Sequence, residues 1–232
     1  MAFAMLRRCE EAGINAVQSR GSMPVMGLIG RYRAQGGKLL WLAQSGKSLT
    51  TFEDELDAMM EYDPAAVCIH GELTDELYLT GMLDRLGGLL DKIRAKNVPA
   101  GICAHFPEVL AYAEEKGLHP DYYMASLYNL SQPDRSHDAD PTGERFEESD
   151  IPKMYEVIRR LSAPTFALKI MGAGRRCRTQ EQVRNVFREA FSSMKPGDGV
   201  LVGMFDKYID QPGLDARYAE EAIRLSENKS DE

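Results

Sequence analysis

The sequence predicts an α/β protein, a TIM-type (β/α)8 barrel that lacks the first of its strands. Three observations carry this expectation. Short apolar runs recur along the chain without strict polar alternation, as parallel strands covered on both faces require. Stretches of helical periodicity separate them, and strands alternating with helices give βαβ units and a parallel sheet. The length of 232 residues is close to the roughly 250 of one barrel.

The chain opens on a helix over 5–12 rather than on a strand. Strands follow at 14–18 (INAVQ), 39–43 (LLWLA), 65–69 (AAVCI), 100–104 (AGICA), 122–127, 166–170 (FALKI) and 200–204 (VLVGM). The clearest helix covers 83–93, where Leu83, Leu86, Leu89, Leu90 and Ile93 form a stripe and Asp84, Arg85, Asp91 and Lys92 lie off it. Stops and turns fall between the elements, at Gly13, Gly36-Gly37, Asn97-Val98-Pro99, Gly117, Ala163-Pro164 and Gly197-Asp198-Gly199. An open set of strands leaves two edges exposed, so the reading expects a first strand upstream of Met1. The polar stretch 131–150 (SQPDRSHDADPTGERFEESD) predicts a long loop, and such loops are usually functional. Ser149 or Asp150 then caps a helix with Pro152 in its first turn. One domain over 1–225 is expected, with 226–232 a disordered tail.

Composition narrows the function. Lys and Arg number 28 against 36 Asp and Glu, a formal charge of -8. Nucleic acid and anionic membranes call for clustered cations, so neither is an expected partner. The cysteines Cys9, Cys68, Cys103 and Cys177 form no CxxC pair, which suits a reducing compartment. The apolar start precedes Arg7-Arg8, the reverse of a signal peptide, and no apolar run reaches the roughly 18 residues of a membrane span. The expectation is a cytoplasmic protein acting on a small molecule, with homo-oligomerisation left open.

In a barrel the site lies where strands finish. Gln18, Gln44, His70 and His105 close the first four runs, and Tyr128-Asn129, Lys169 and Gly203-Met204 follow on later ones. The two histidines suit general acid–base work or polarising a carbonyl; the plain alternative is a histidine satisfying backbone groups at the barrel mouth. A metal would need a third ligand such as Glu72, without any supporting motif, and is the minority reading. Lys169, inside an apolar run, is a candidate Schiff-base amine or an ion-paired lysine. Gly172, Gly174, Arg175, Arg176 and Gly203 follow the last two strands, the usual anion seat of such barrels. They are the candidate cofactor-phosphate site; a tight turn with surface arginines is the plain alternative. Cys103 reads as core, while His119 and His137 read as loop residues facing solvent.

The order of VCIHGE, VPAGICAHFPEVLAYAEEKG, DYYMASLYNL, FALKIMGAG and VLVGMFDKYIDQ resembles the aldo/keto reductase superfamily over residues 14–211. It also resembles an uncharacterised group of TIM-barrel proteins sharing the K-I-x-G-A-G-R and V-G-M-F elements. The resemblance implies a barrel oxidoreductase using NADP. That family's Asp, Tyr, Lys and His tetrad is mostly absent: Gln18 stands at the Asp, Ser22-Met23-Pro24 where the Tyr is expected and Gln44-Ser45 at the Lys. Only His70 carries over. The expectation is therefore a barrel enzyme acting on a polar carbonyl or sugar-like compound, its rim formed by Gln18, Arg20, Gln44, His70, His105 and Lys169. A cofactor-independent lyase or isomerase of aldolase type using Lys169, or a non-catalytic relic, are the alternatives.

Overall fold

The computed structural model describes residues 2–132 and 146–230. Helix α1 (Ala2–Glu11) leads into β1 (Ala16–Arg20), followed by α2 (Met23–Ala34), β2 (Leu40–Gln44), α3 (Phe52–Met60) and β3 (Ala66–Ile69). Two helices, α4 (Gly71–Leu79) and α5 (Leu86–Arg94), precede β4 (Ala100–Ala104); α6 (Pro107–Glu115) and β5 (Tyr122–Ser126) come next. The remainder is α7 (Asp150–Ile158), β6 (Thr165–Leu168), α8 (Gln180–Ser193), β7 (Gly199–Leu201) and α9 (Gln211–Ser230). Seven strands pair in sequence order, every neighbour parallel. The sheet curls into a nearly closed TIM-type barrel, with a seam between β1 and β7.

Strand alternation sorts the side chains into two layers. Even-numbered positions of β2, β3 and β5 (Leu42, Ala66, Cys68, Tyr122, Met124), with Cys103 of β4, fill the barrel interior. Their neighbours Trp41, Ala43, Val67, Ile69, Ile102, Tyr123 and Ala125 face outward and pack on the helices, against Ile29, Leu56, Leu90, Ile93 and Val109 among others. Both faces are thus buried, which is why the strands read as continuous apolar runs. Local chemistry starts the helices where they begin. Pro24 and Pro107 sit in first turns, where a missing N–H costs nothing, and Thr179 caps α8 by accepting from the Gln182 N–H at 3.2 Å.

Several expectations need correction. The helix over 83–93 is α5 preceded by a 3-10 turn at Leu83–Arg85, and the sequence reading did not separate α4. The sixth strand ends at Leu168, so Lys169 lies just beyond it rather than inside it, in left-handed conformation with φ 61°. The first strand runs on to Arg20, which places Gln18 within it, and the seventh stops at Leu201, before Gly203. Ser149 precedes α7 but makes no side-chain capping bond; Asp150 instead accepts from the Asn129 N–H at 2.9 Å. Helix α9 continues through Ser230 where a disordered tail was expected. The loop expected over 131–150 lies partly, and His137 entirely, outside the described residues. His119 is exposed in the connection after α6.

The barrel interior depends on a missing side chain. A Cβ on Gly101 would stand 2.5 Å from the ring of Tyr122 on the neighbouring strand. The ring fills the space that glycine leaves. Gly101→Ala should therefore lose roughly 1–3 kcal/mol by overpacking in urea unfolding, and adding Tyr122→Leu should recover part of that loss. An unchanged midpoint in Gly101→Ala would show that the ring can move aside.

Candidate functional site

The C-terminal strand ends bring together three groups that lie far apart in sequence. His105 follows β4 directly and Lys169 follows β6, and the Lys169 Nζ stands 3.1 Å from His105 Nε2. The other ring nitrogen, Nδ1, is 2.6 Å from Asp75 Oδ2 on α4. A carboxylate only accepts, so Nδ1 carries the proton and Nε2 presents its lone pair to the lysine. Asp75 is 1% exposed. It also accepts from the His105 backbone N–H at 3.1 Å and from the Ser131 hydroxyl at 2.7 Å. A buried carboxylate with three donors is held in one orientation, and it fixes the imidazole in one tautomer.

Helix α4 owes its position to that contact. Gly71, Thr74 and Asp75 share one helical face by their i, i+3, i+4 spacing. Thr74 Oγ1 donates to the Cys103 carbonyl at 2.5 Å, while Asp75 receives the His105 N–H, so the face is fastened to the end of β4. Gly71 makes the approach close: a Cβ there would lie 3.2 Å from both Cys103 Sγ and His105 Cε1. Neither Asp75 nor Ser131 was among the residues expected from sequence. Asp75 lies on the Gly71–Thr74 face, opposite the Leu73–Leu77 stripe, so the apolar periodicity gave no signal for it. Ser131 had none either.

The other expected residues divide. Gln18 Nε2 donates to Gln44 Oε1 at 3.2 Å across β1 and β2. His70 follows β3 and caps α4: its Nδ1 accepts from the Glu72 N–H at 3.1 Å, and its own backbone N–H donates to Ser45 Oγ at 3.0 Å. Burial, more than any neighbouring charge, pushes its pKa down to about 4, so near neutrality the ring is uncharged with its proton on Nε2. In this structure the ring serves as the N-cap of α4. Burial pushes the Cys103 thiol up to about 12, which suits core packing and not a thiolate nucleophile. Arg20 lies 3.8 Å from Glu55.

Of the expected anion seat, Gly172–Gly174 forms a 3-10 turn with Ala173 at φ 49°. Arg176 pairs with Glu189 of α8, and Arg175 stacks over Phe146, its guanidinium carbon 4.0 Å from the ring centre. Ala173, Gly174 and Gly203 line a cavity of about 740 Å³ that also receives Gln18 and Lys169. Among the described residues no group of three or more His, Cys, Asp or Glu could hold a metal ion, and no helix is long and apolar enough to cross a membrane.

The architecture places the chain in a class, the TIM-type barrels. It matches a truncated 3-deoxy-D-arabino-heptulosonate 7-phosphate synthase from Thermotoga maritima with TM-score 0.56 and 14% identity, over 100% of this chain and 82% of that one. A KDPGal structure matches with TM-score 0.56 and 12% identity, over 98% and 90%. A protein described as QR15, an aldolase, gives the same score and identity over 96% and 88%. At these identities the likeness is one of fold. No family model and no curated protein sequence matches the chain.

The His70 reading can be tested by pH. A base whose folded pKa lies below its unfolded value binds its proton more readily when unfolded, so stability falls with pH from 6.5 to about 4. After allowance for the partly exposed ring, wild type should lose on the order of 1–2 kcal/mol more than His70→Asn across that window. Asparagine keeps a capping acceptor without titrating. Parallel stability curves for the two proteins would refute the buried neutral histidine.

Proposed function

We propose that the chain is a small-molecule enzyme of aldolase type, a lyase or isomerase in which Lys169 is the reactive amine toward a carbonyl substrate. One observation carries this reading: the Asp75–His105–Lys169 chain of hydrogen bonds. A lysine attacks a carbonyl only as the neutral amine. With Nδ1–H held on Asp75, His105 Nε2 is placed to take a proton from Lys169, and the resulting imidazolium is stabilised by the buried carboxylate. The amine nitrogen then bonds to the carbonyl carbon, the oxygen takes one proton from that nitrogen and a second from the His105 imidazolium and leaves as water, and the resulting iminium draws electrons from the adjacent C–C or C–H bond. The relay next serves that step in the opposite direction.

Two further facts support the reading. A non-glycine residue at positive φ costs of order 1 kcal/mol or more, and such strain concentrates where side chains must be aimed; Lys169 has it. The barrels it superposes on include a heptulosonate phosphate synthase and an aldolase.

The test is reductive trapping. Incubation with borohydride and a panel of small carbonyl compounds, beginning with pyruvate, should add the reduced adduct to Lys169, read by peptide mass spectrometry. Lys169→Met should abolish the label. Asp75→Asn should slow labelling by roughly a hundredfold and shift its pH profile, because the imidazolium loses its counter-charge. A panel that never labels Lys169 would eliminate the covalent mechanism.

A second reading, an NADP-linked oxidoreductase of aldo/keto reductase type, draws on the cavity beside Ala173, Gly174 and Gly203. With Arg176 held by Glu189, the cofactor's phosphate would rely on Arg175 and the turn amides of 172–174. Isothermal titration with NADP should then show micromolar binding that weakens in Arg175→Ala. No heat at millimolar cofactor would remove this reading.

A further inference from the structure

Among the described residues no strand pairing joins β1 to β7, and helices α1 and α9 pack against each other. Between them lies the cavity of about 740 Å³, and most of its wall is apolar: Leu6 and Cys9 from α1, Val17 from β1, Leu201 from β7, Phe187 from α8, Ala219 from α9. That volume is within the range of small-molecule sites. One acid breaks the apolar wall. Asp215, in the second turn of α9, lines the cavity and is 8% exposed. Among the described residues it has neither a hydrogen-bond partner nor an ion pair.

A buried carboxylate in a natural fold is almost always paired. The acids around it show the contrast. Asp206 and Asp210 share Arg8, at 2.7 and 3.2 Å, so the nearby arginine of α1 is already engaged. Asp75 has three donors. Asp215 alone among these faces an apolar space with nothing to neutralise it, and a fold tolerates such a group chiefly where a ligand completes it.

We propose that the seam cavity is a binding site for a hydrophobic amine, with Asp215 as the counter-ion of its ammonium group and the apolar wall taking its body. The charge is the argument for an amine. A cation entering this space pairs with a carboxylate set among apolar walls, whereas a second anion would be repelled. Lys169 also lines this cavity but is joined to His105. The site does not depend on imine chemistry, since an amine without a carbonyl cannot react with Lys169.

Burial alone raises the Asp215 pKa to about 6. The titratable groups facing the cavity with it are Cys9 on α1, Cys177 before α8 and Lys169 after β6; Asp206 lies near Cys9, and α8 presents only Phe187. Of these, Cys9 is raised by burial and by the two carboxylates. Amine binding should therefore weaken as pH falls below about 6, where Asp215 takes up its proton.

The experiment uses phenethylamine and its neutral isostere phenethyl alcohol, titrated calorimetrically at about pH 8, two units above that value. The amine should bind roughly tenfold or more tighter than the alcohol, and Asp215→Asn should remove that preference. Neither probe carries a carbonyl and binding is read without borohydride, so failure here is separable from failure of the lysine mechanism. Melting temperature gives an independent readout. A carboxyl whose folded pKa is raised loses stability as pH rises through it, so Asp215→Asn should melt a few degrees higher than wild type at about pH 8 and no higher at about pH 4. Equal binding of amine and alcohol, no binding of either, or a lower melting temperature for Asp215→Asn at the higher pH would each overturn the proposal.

Discussion

The Asp75 carboxylate, sealed from solvent, must find donors or impose a large desolvation cost, and the surrounding structure is arranged around the three it finds. The His105 backbone N–H ties it to the end of β4, the imidazole carries its influence to Lys169, and the Ser131 hydroxyl brings in the segment after β5. One side chain thereby joins elements from the third, fourth and fifth βα units, and through the imidazole the end of the sixth strand. Removing it would leave two buried donors unsatisfied and the histidine free to rotate. Helix α4 exists as a separate element for this purpose: its Gly71 face allows contact, Thr74 fastens it, and Asp75 directs the ring.

The barrel supplies the frame that makes such a chain of contacts precise. Its interior is filled by side chains from alternate positions of neighbouring strands, with Tyr122 set into the gap at Gly101, and a packed interior resists small displacements. The seam between β1 and β7 is the exception. It opens an apolar space where other parts of the molecule are close-packed, and the residues that carry chemical potential there, Lys169 and Asp215, reach it from β6 and α9. Order at the rim and space at the seam are two results of the same strand arrangement.

Much of this was legible in the chain. Seven parallel strands, the opening helix, and the positions of His70, His105 and Lys169 at or near strand ends follow from apolar runs and what terminates them. Periodicity located β4 to the residue, because Pro99 and His105 bracket an unbroken apolar segment. It misplaced the end of β6, because FALKI is apolar on both sides of Lys169 and only the left-handed turn at Lys169 shows where pairing stops. Asp75 was missed because it shares the polar side of helix 71–79 with Glu72 and Glu76, and periodicity does not show that the edge of that side is buried. The arginines were read as a phosphate pair, yet Arg176, in the turn before α8, is held by Glu189, thirteen residues further on within that helix.

By itself, the sequence determined the class of fold and the rim on which polar residues gather, because strand and helix periods are local and each residue reports its own face. Partnership is not local. That His105 lies between Asp75 and Lys169, that His70 is a cap and that Arg176 is neutralised are facts of distances between residues from 2 to 64 positions apart, and that Asp215 is not neutralised is a fact of what surrounds it. Only the barrel arrangement of strands, which sets those distances, could decide them.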